Sequence, residues 1–273
     1  MLLQEKLNEL KSQKKAILAA NFYNYETLAG ILKAASGMNL PVILQLSQSS
    51  LEYLGVAVAA NMGKTALKEF GVQGWLHLDH GGSVNLVRKC LDAGFDSVMI
   101  DASEKPFDEN MRTTMEVMKL AQSYKANVEA ELGYVAKLGQ EQDTGSFTSP
   151  EDARRFAEGT GVNCLAVAIG SAHGFYKKEP RLDMERLAAI ATITPCPLVL
   201  HGSSGIPDAM LQKAIRNGIT KVNLATETKN AFMKRLQEIL AGNTEIDLRK
   251  VFPVAIDAVE NLITSKLKVI NNA

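Results

Sequence analysis

A short apolar run recurs along the chain, and each time a glycine precedes it by a few residues. Four such pairs are Gly71 with Trp75–Asp79, Gly94 with Ser97–Asp101, Gly161 with Leu165–Ile169, and Gly218 with Lys221–Leu224. Each glycine follows a stretch with helical spacing, and glycine readily ends a helix and turns the chain. Nearly continuous apolar runs are typical of parallel strands with both faces covered. The pattern predicts alternating helices and parallel strands.

Four more runs complete the set of predicted strands: Ala16–Ala20, Val42–Leu46, Asn127–Glu131 and Leu198–His201. A helix start is marked at Ser149, which offers an N-cap followed by Pro150 and two acidic residues. A chain of 273 residues suits one large α/β domain. We expect a (β/α)8 TIM barrel in a single domain over residues 1–273, with an open doubly wound sheet as the alternative.

Charge and cysteine content narrow the functional classes. The 30 basic and 30 acidic residues cancel, so net charge gives no reason to expect a nucleic-acid or membrane partner. Cys90, Cys164 and Cys196 stand in apolar surroundings, which predicts free buried thiols in a reducing compartment. Glu5 and Lys6 lie where a signal peptide needs an apolar core, and no apolar run is long enough to cross a bilayer. We expect a cytoplasmic protein.

Coordinating and polar side chains collect where the predicted strands end. They are His80, Asp101, Glu131, His173, His201 and Asn223. In a barrel, this end of the strands builds the active site. Three imidazoles with an open fourth position are typical of catalytic zinc, whereas a structural site is closed by four protein ligands. One histidine alone is as readily a buried, hydrogen-bonded side chain, but three of the four histidines at strand ends favour a metal. The fourth, His77, lies inside a strand.

Carboxylates accompany these histidines. Asp101 and Glu131 are placed either to orient the imidazoles from behind or to bind a displaced metal ion. Asp79 directly precedes His80, which holds it near the metal without requiring it as a ligand. That is a suitable position for a general acid or base.

Glycine and hydroxyl residues follow the seventh and eighth predicted strands. Gly202–Gly205 comes after His201, and Thr226 comes shortly after Asn223. Phosphate sites of TIM barrels use these loops, with backbone N–H groups and a helix N-terminus as donors. The alternative is an ordinary glycine–serine turn. Two long connections, over residues 132–149 and 170–180, are typical of lids or binding segments.

Several ordered blocks of sequence resemble one known family. They are Leu78-Asp79-His80-Gly81, Asp101-Ala102-Ser103, Glu129-Ala130-Glu131-Leu132-Gly133, Ala172-His173-Gly174, His201-Gly202-Ser203-Ser204-Gly205 and Lys221-Val222-Asn223-Leu224-Ala225-Thr226-Glu227. The blocks resemble those of the class II, zinc-dependent ketose-bisphosphate aldolases, which include fructose-1,6-bisphosphate and tagatose-1,6-bisphosphate aldolases.

The resemblance implies a metal centre and a proton-transfer group. His80, His173 and His201 would hold Zn²⁺, which polarises the carbonyl of dihydroxyacetone phosphate. Asp79 would exchange the proton of the C4 hydroxyl. Asp101 and Glu131 match positions that bind a second or displaced divalent ion.

It also implies two phosphate sites. The ketone-side phosphate would be bound, with a monovalent cation (Na⁺ or K⁺) assisting, by Gly174, Gly202, Ser203, Ser204, Asn223, Leu224, Ala225 and Thr226. Ser47 and Arg249 match residues that meet the aldehyde-side phosphate, and the arginine typically reaches across from a neighbouring subunit. We therefore expect a homodimer or homotetramer.

The chain departs from the family pattern at two places. Ser203 stands where the family often has a second glycine, which leaves backbone donation possible but reduces loop freedom. The segment over residues 132–143 is longer than usual, and it places the catalytic glutamate of the mobile loop at Glu141.

The sequence leaves three other functions open. A Schiff-base aldolase needs a buried lysine at the barrel mouth, and Lys221 begins the eighth predicted strand, at the opposite end. A zinc hydrolase can use the same three histidines to activate water, and a binding barrel without enzymatic activity is the third alternative. Fructose and tagatose bisphosphates differ only in configuration at C4, and other phosphorylated ketoses remain possible substrates.

Overall fold

The computed structural model describes residues 1–133, 135, 147–176 and 178–273. Eight parallel strands close into a barrel in chain order. The strands are β1 Ile17–Asn21, β2 Val42–Ser47, β3 Gly74–Gly81, β4 Ser97–Ile100, β5 Asn127–Leu132, β6 Cys164–Val167, β7 Leu198–Leu200 and β8 Ile219–Leu224. The closed barrel confirms the (β/α)8 fold and excludes the open doubly wound sheet.

Helices link and surround the strands. They are α1 Leu3–Gln13, α2 Tyr25–Met38, α3 Gln48–Leu54, α4 Val56–Glu69, α5 Val84–Asp92, α6 Phe107–Gln122, α7 Pro150–Thr160, α8 Met184–Ile193, α9 Asp208–Arg216, α10 Thr226–Leu240 and α11 Leu248–Asn271. The Ser149 N-cap of α7 forms as predicted, because the Ser149 side chain accepts from the Asp152 N–H. Within the described ranges, no helix is both long and apolar enough to cross a membrane.

The alternation of side chains along each strand separates two apolar regions. Outward-facing residues, such as Leu76 and Leu78 of β3, belong to the core shared with the helices. Inward-facing Ile17, Ile43 and Trp75 form a second cluster at the N-terminal end of the barrel. Helix α1 closes that end with its leucines, and the Trp75 indole N–H donates to the Met1 carbonyl at 3.3 Å. Ligands therefore have their access at the opposite end of the strands.

A polar layer fills the middle of the barrel. Its buried members are Gln45, His77, Ser97, Asn127, Glu129 and Lys221. The Lys221 ammonium donates to Glu129 Oε2 at 2.8 Å, and both side chains are essentially inaccessible to solvent. Burying both charges is tolerable because they form a close, hydrogen-bonded pair.

The structure corrects several predicted strand boundaries. Ile219 and Thr220 extend β8, so Lys221 is its third residue and not its first. At the other ends, β4 stops at Ile100 before Asp101, β6 at Val167 and β7 at Leu200 before His201. At each of these C-terminal strand ends the chain leaves the sheet for a polar loop. Each predicted run continues past the last residue of the strand, so the predicted strands end one or two residues too late. Cys90, Cys164 and Cys196 are buried free thiols, as predicted.

Candidate active site

A bulge in β3 turns two consecutive side chains toward the same space. Leu78 pairs with Val98 and Gly81 with Ile100, so β3 has one residue more than β4 in this interval. His80 occupies the extra position with a φ of 51°, in the left-handed region. In a regular strand, Asp79 and His80 would face opposite sides, but a bulge re-aims a side chain. The left-handed backbone costs of order 1 kcal/mol or more, which is typical of functional sites.

Three imidazoles and one carboxylate meet at the mouth of the barrel. Potential ligand atoms of His80, Glu131, His173 and His201 all lie within 4.8 Å of one another. The rings of His80 and His201 are perpendicular, with centroids 4.7 Å apart, and His173 lies edge-on to both. His80 Nε2 and His201 Nδ1 face each other at 3.0 Å. The three histidines come from β3 and from the loops after β6 and β7.

Carboxylates behind two of the imidazoles determine which nitrogen faces the centre. Asp101 accepts from His80 Nδ1 at 2.7 Å, which leaves His80 Nε2 toward the cluster. Glu129 accepts from His201 Nε2 at 2.8 Å, which leaves His201 Nδ1 toward the cluster. This carboxylate–imidazole arrangement is the usual support of metal-ligating histidines. Asp101 is thus placed behind His80, and Glu131 is the carboxylate that joins the cluster.

The surrounding charges favour a cation at this point. Burial lowers the pKa of His80, but Asp79, Asp101 and Glu131 outweigh it and raise the pKa to about 10. Burial raises the pKa of Glu131. Glu131 Oε2 is buried and makes no hydrogen bond within the described residues, and it lies 3.5 Å from His201 Nδ1. An unpaired buried carboxylate oxygen is costly. A divalent cation would satisfy it, and nitrogen and oxygen donors of this kind are those that zinc prefers.

Asp79 is held from both sides beside the imidazoles. Asn21 Nδ2 donates to its Oδ2 at 2.8 Å, and Asn223 Nδ2 donates to its Oδ1 at 3.3 Å. Gln45 in turn donates to Asn21 Oδ1 at 3.0 Å, which fixes the orientation of the Asn21 amide. Burial raises the pKa of Asp79, but His80, His201 and Lys221 more than compensate and bring the pKa to about 2. Asp79 is therefore an ionised carboxylate at neutral pH, held in a fixed orientation beside the imidazoles.

A small pocket opens beside the cluster, between the loops after β6, β7 and β8. Its lining includes Gly174, Gly202, Ser203, Ser204, Asn223, Ala225 and Thr226, together with Asn21, Asp79 and the three histidines. Thr226 is the first residue of α10, so the N-terminus of that helix faces the pocket. Backbone N–H groups and a helix N-terminus favour an anion. Of the residues predicted to bind the ketone-side phosphate, Leu224 does not line the pocket. Its buried side chain belongs to the core outside the barrel.

Two other predicted residues, Ser47 and Arg249, neither line this pocket nor contribute converging ligand atoms. Ser47 is the register partner of Asp79 across β2 and β3 and caps α3. Arg249 stands at the start of α11 with its side chain 90% exposed, and its guanidinium pairs with Asp247. Glu141 lies outside the described residues.

Comparison with known proteins identifies the family of this chain. The family described as "Fructose-bisphosphate aldolase class-II" matches residues 2–273. The chain belongs to the class II fructose-bisphosphate aldolase family. It is thus an aldolase, a lyase that acts on sugar phosphates, as the resemblance implied.

Individual relatives of this aldolase cover nearly the whole chain. The fructose-bisphosphate aldolase of Geobacillus stearothermophilus is 39% identical over 274 residues, covering 97% of this chain and 95% of the relative. The probable fructose-bisphosphate aldolase of Bacillus subtilis (strain 168) is also 39% identical, with the same coverage. Among solved structures, the YdjI aldolase of Escherichia coli K12 superposes with a TM-score of 0.88 at 32% identity, covering 99% of this chain and 97% of that one.

Three residues of the aldolase site were not predicted from the sequence. Asn21 ends β1, one residue beyond the predicted strand. Glu129 precedes Glu131 by two residues, and the two-residue period of a strand indicates that both point into the barrel. Tyr176 contacts the loops that follow β6 and β7. No local pattern marks Tyr176, because its contacts depend on how two loops pack.

Proposed function

We propose that this aldolase uses Zn²⁺ to cleave fructose 1,6-bisphosphate or tagatose 1,6-bisphosphate reversibly to dihydroxyacetone phosphate and glyceraldehyde 3-phosphate. The convergence of His80, His173 and His201 beside an anion pocket carries the proposal. The relatives named fructose-bisphosphate aldolases support the choice of substrate.

The residues at the cluster would hold the metal. His80 and His201 present nitrogens whose direction is fixed by Asp101 and Glu129, and His173 completes the imidazole set. Glu131, whose Oε2 makes no hydrogen bond to a described residue, offers a further ligand or a place for a second ion. When bound, zinc supplies a Lewis acid that polarises the ketone carbonyl of the substrate and stabilises negative charge there.

Asp79 would move the proton that the reaction requires. In the cleavage direction, the ionised carboxylate accepts the proton of the C4 hydroxyl while the bond between C3 and C4 breaks. The C4 oxygen becomes the aldehyde carbonyl, and the electron pair of the broken bond passes to the dihydroxyacetone phosphate half. Asn21 and Asn223 hold the carboxylate in place for this transfer. Proton exchange on the other half is assigned to Glu141 by the family resemblance.

The two ends of the substrate would occupy the spaces on either side of the cluster. The ketone-side phosphate fits the pocket of Gly202, Ser203, Ser204 and Thr226, where a monovalent cation (Na⁺ or K⁺) can assist. A cleft of about 540 Å³ opens on the side of Asp101 and Ser103.

The aldehyde-side phosphate would meet Ser47 and the Arg249 of a neighbouring subunit in a homodimer or homotetramer. Arg249 suits this role because its exposed guanidinium offers two parallel hydrogen bonds to a phosphate. The free buried cysteines suit the reducing cytoplasm in which we expect the enzyme to act.

A second candidate is cleavage of a different phosphorylated ketose. The YdjI aldolase, 32% identical with a TM-score of 0.88, is named as an aldolase without a stated sugar. A panel of ketose 1-phosphates and 1,6-bisphosphates, assayed for release of dihydroxyacetone phosphate, tests the assignment. We expect kcat/KM to be highest for fructose or tagatose 1,6-bisphosphate. Preference for a monophosphate by tenfold or more would favour the second candidate.

A further inference from the structure

One tyrosine hydroxyl bridges the two loops that flank the phosphate pocket. Tyr176 Oη accepts from the Ala172 N–H at 2.8 Å and donates to the Gly202 carbonyl at 2.8 Å. Ala172 directly precedes His173, and Gly202 directly follows His201. The ring is partly buried against the core, and burial raises the pKa of Tyr176 to about 12. The hydroxyl therefore keeps its proton and remains a donor throughout the neutral range.

The bond to Gly202 fixes a peptide plane of the pocket. The Gly202 carbonyl and the Ser203 N–H belong to one planar trans peptide, so they point in opposite directions. Because Tyr176 binds the carbonyl, the Ser203 N–H is turned away from the tyrosine. The Ser203 hydroxyl donates to the Asn223 carbonyl, so its side chain is already occupied. Within the described part of the chain, the Ser203 N–H has no acceptor, and Ser203 lines the pocket.

Backbone contact between the loops leaves little room for another arrangement. Gly202 has a φ of 66°, and a Cβ at this position would lie 2.4 Å from the Ala172 carbonyl oxygen. A Cβ at Gly205 would lie 3.4 Å from the Tyr176 ring. The tyrosine thus packs beside a close backbone approach between the loops after β6 and β7.

We propose that Tyr176 is a positioning residue for phosphate recognition, whose hydroxyl holds the Gly202–Ser203 peptide with its N–H toward the phosphate. The proposal rests on the proposed function, since it assumes that this pocket takes the ketone-side phosphate. Tyr176 acts through the peptide and does not touch the substrate.

The test is Tyr176→Phe, which removes the hydroxyl and keeps the ring. Calorimetric titration of the zinc-loaded enzyme with inorganic phosphate should give a Kd about tenfold weaker than wild type, as expected for one misoriented hydrogen bond to a charged group. The KM for the bisphosphate substrate should rise by a similar factor, with kcat within about twofold. Tyr124→Phe is the matched control, because the Tyr124 hydroxyl donates to Asp92 on the surface at 2.6 Å. It should change neither constant.

Each outcome has a distinct meaning. If Tyr176→Phe binds phosphate as tightly as wild type with an unchanged KM, the positioning role is wrong, while phosphate binding by the wild type leaves the proposed function intact. The variant could instead show a lower thermal midpoint and a lower kcat, with KM and the phosphate Kd unchanged. Tyr176 would then only support the fold, and the proposal would be overturned. Absence of phosphate binding in the wild type, together with no cleavage of phosphorylated ketoses, would remove both the proposal and the proposed function.

Discussion

His80 Nε2 lies 3.0 Å from His201 Nδ1, and the opposite nitrogen of each ring is bound to a buried or partly buried carboxylate. The two carboxylates therefore direct two imidazole nitrogens toward one point. Glu131 and His173 border the same point. Such a convergence of ligand atoms is the arrangement that a divalent cation would bind.

Removing one of these imidazoles should remove the metal. We expect His201→Ala to lose both bound zinc and turnover, because the His201 imidazole, oriented by Glu129, would be one of the metal ligands. Metal content after dialysis, measured by atomic emission, checks the prediction. His77→Asn is the control: His77 lies in the polar layer beside Ser97 and Lys221, and its variant should keep zinc. Stoichiometric zinc in His201→Ala would show that the cluster is not the metal site.

Asp79→Ala should separate metal binding from proton transfer. The variant should retain zinc, because Asp79 is absent from the set of converging ligand atoms. Its kcat should fall by about 10²–10⁴, the contribution typical of a positioned general base. Parallel measurement of kcat and zinc content makes the comparison. Asp79→Ala with zinc bound and kcat within tenfold of wild type would assign the proton transfer to another group.

The buried Lys221–Glu129 pair should matter for stability. Lys221→Met leaves the Glu129 carboxylate in the barrel without its cation, and breaking a buried pair in this way costs about 3–5 kcal/mol. Urea unfolding should show a loss of that size. Lys33→Met is the matched control: its pairs with Asp257 and Glu260 are exposed, so the loss should be below about 1 kcal/mol. Equal effects of the two substitutions would contradict the structural account.

Gly202→Ala should damage the pocket through the backbone. The added Cβ would lie 2.4 Å from the Ala172 carbonyl oxygen, at a φ of 66° that disfavours alanine. We expect a loss of about 1–3 kcal/mol in the free energy of unfolding and weaker phosphate binding. Gly37→Ala is the control, since Gly37 lies in α2 with nothing within 4 Å of an added Cβ. That variant should gain about 0.5–1 kcal/mol.

Much of the fold and the histidine cluster could be predicted from the sequence because both depend on local regularities. The apolar runs are strands, and their carboxyl ends must meet at one end of a parallel barrel, which brings His80, His173 and His201 together. The orientation of Asp79 and His80 could not be predicted, because the bulge depends on the pairing of β3 with β4.

Other features depended on contacts between segments distant in the chain. In the sequence, Glu129 is only one member of the block that contains Glu131. Its contacts with His201 and Lys221 are visible only in the structure. Leu224 shows how strand alternation divides a motif: as the neighbour of the inward-facing Asn223, its side chain points outward into the core, so only its backbone can serve the pocket. Tyr176 links two loops whose approach no sequence pattern indicates.

Titration of metal-free enzyme with zinc tests the central claim most directly. After exhaustive chelation, cleavage of the preferred bisphosphate should stop, and activity should return in proportion to added Zn²⁺ with a break at one equivalent per chain. Borohydride treatment with substrate should leave no covalent adduct on Lys221, which lies buried and paired with Glu129. If the chelator-treated enzyme cleaves the bisphosphate at the rate of the untreated enzyme, with or without a trapped lysine adduct, the account is contradicted.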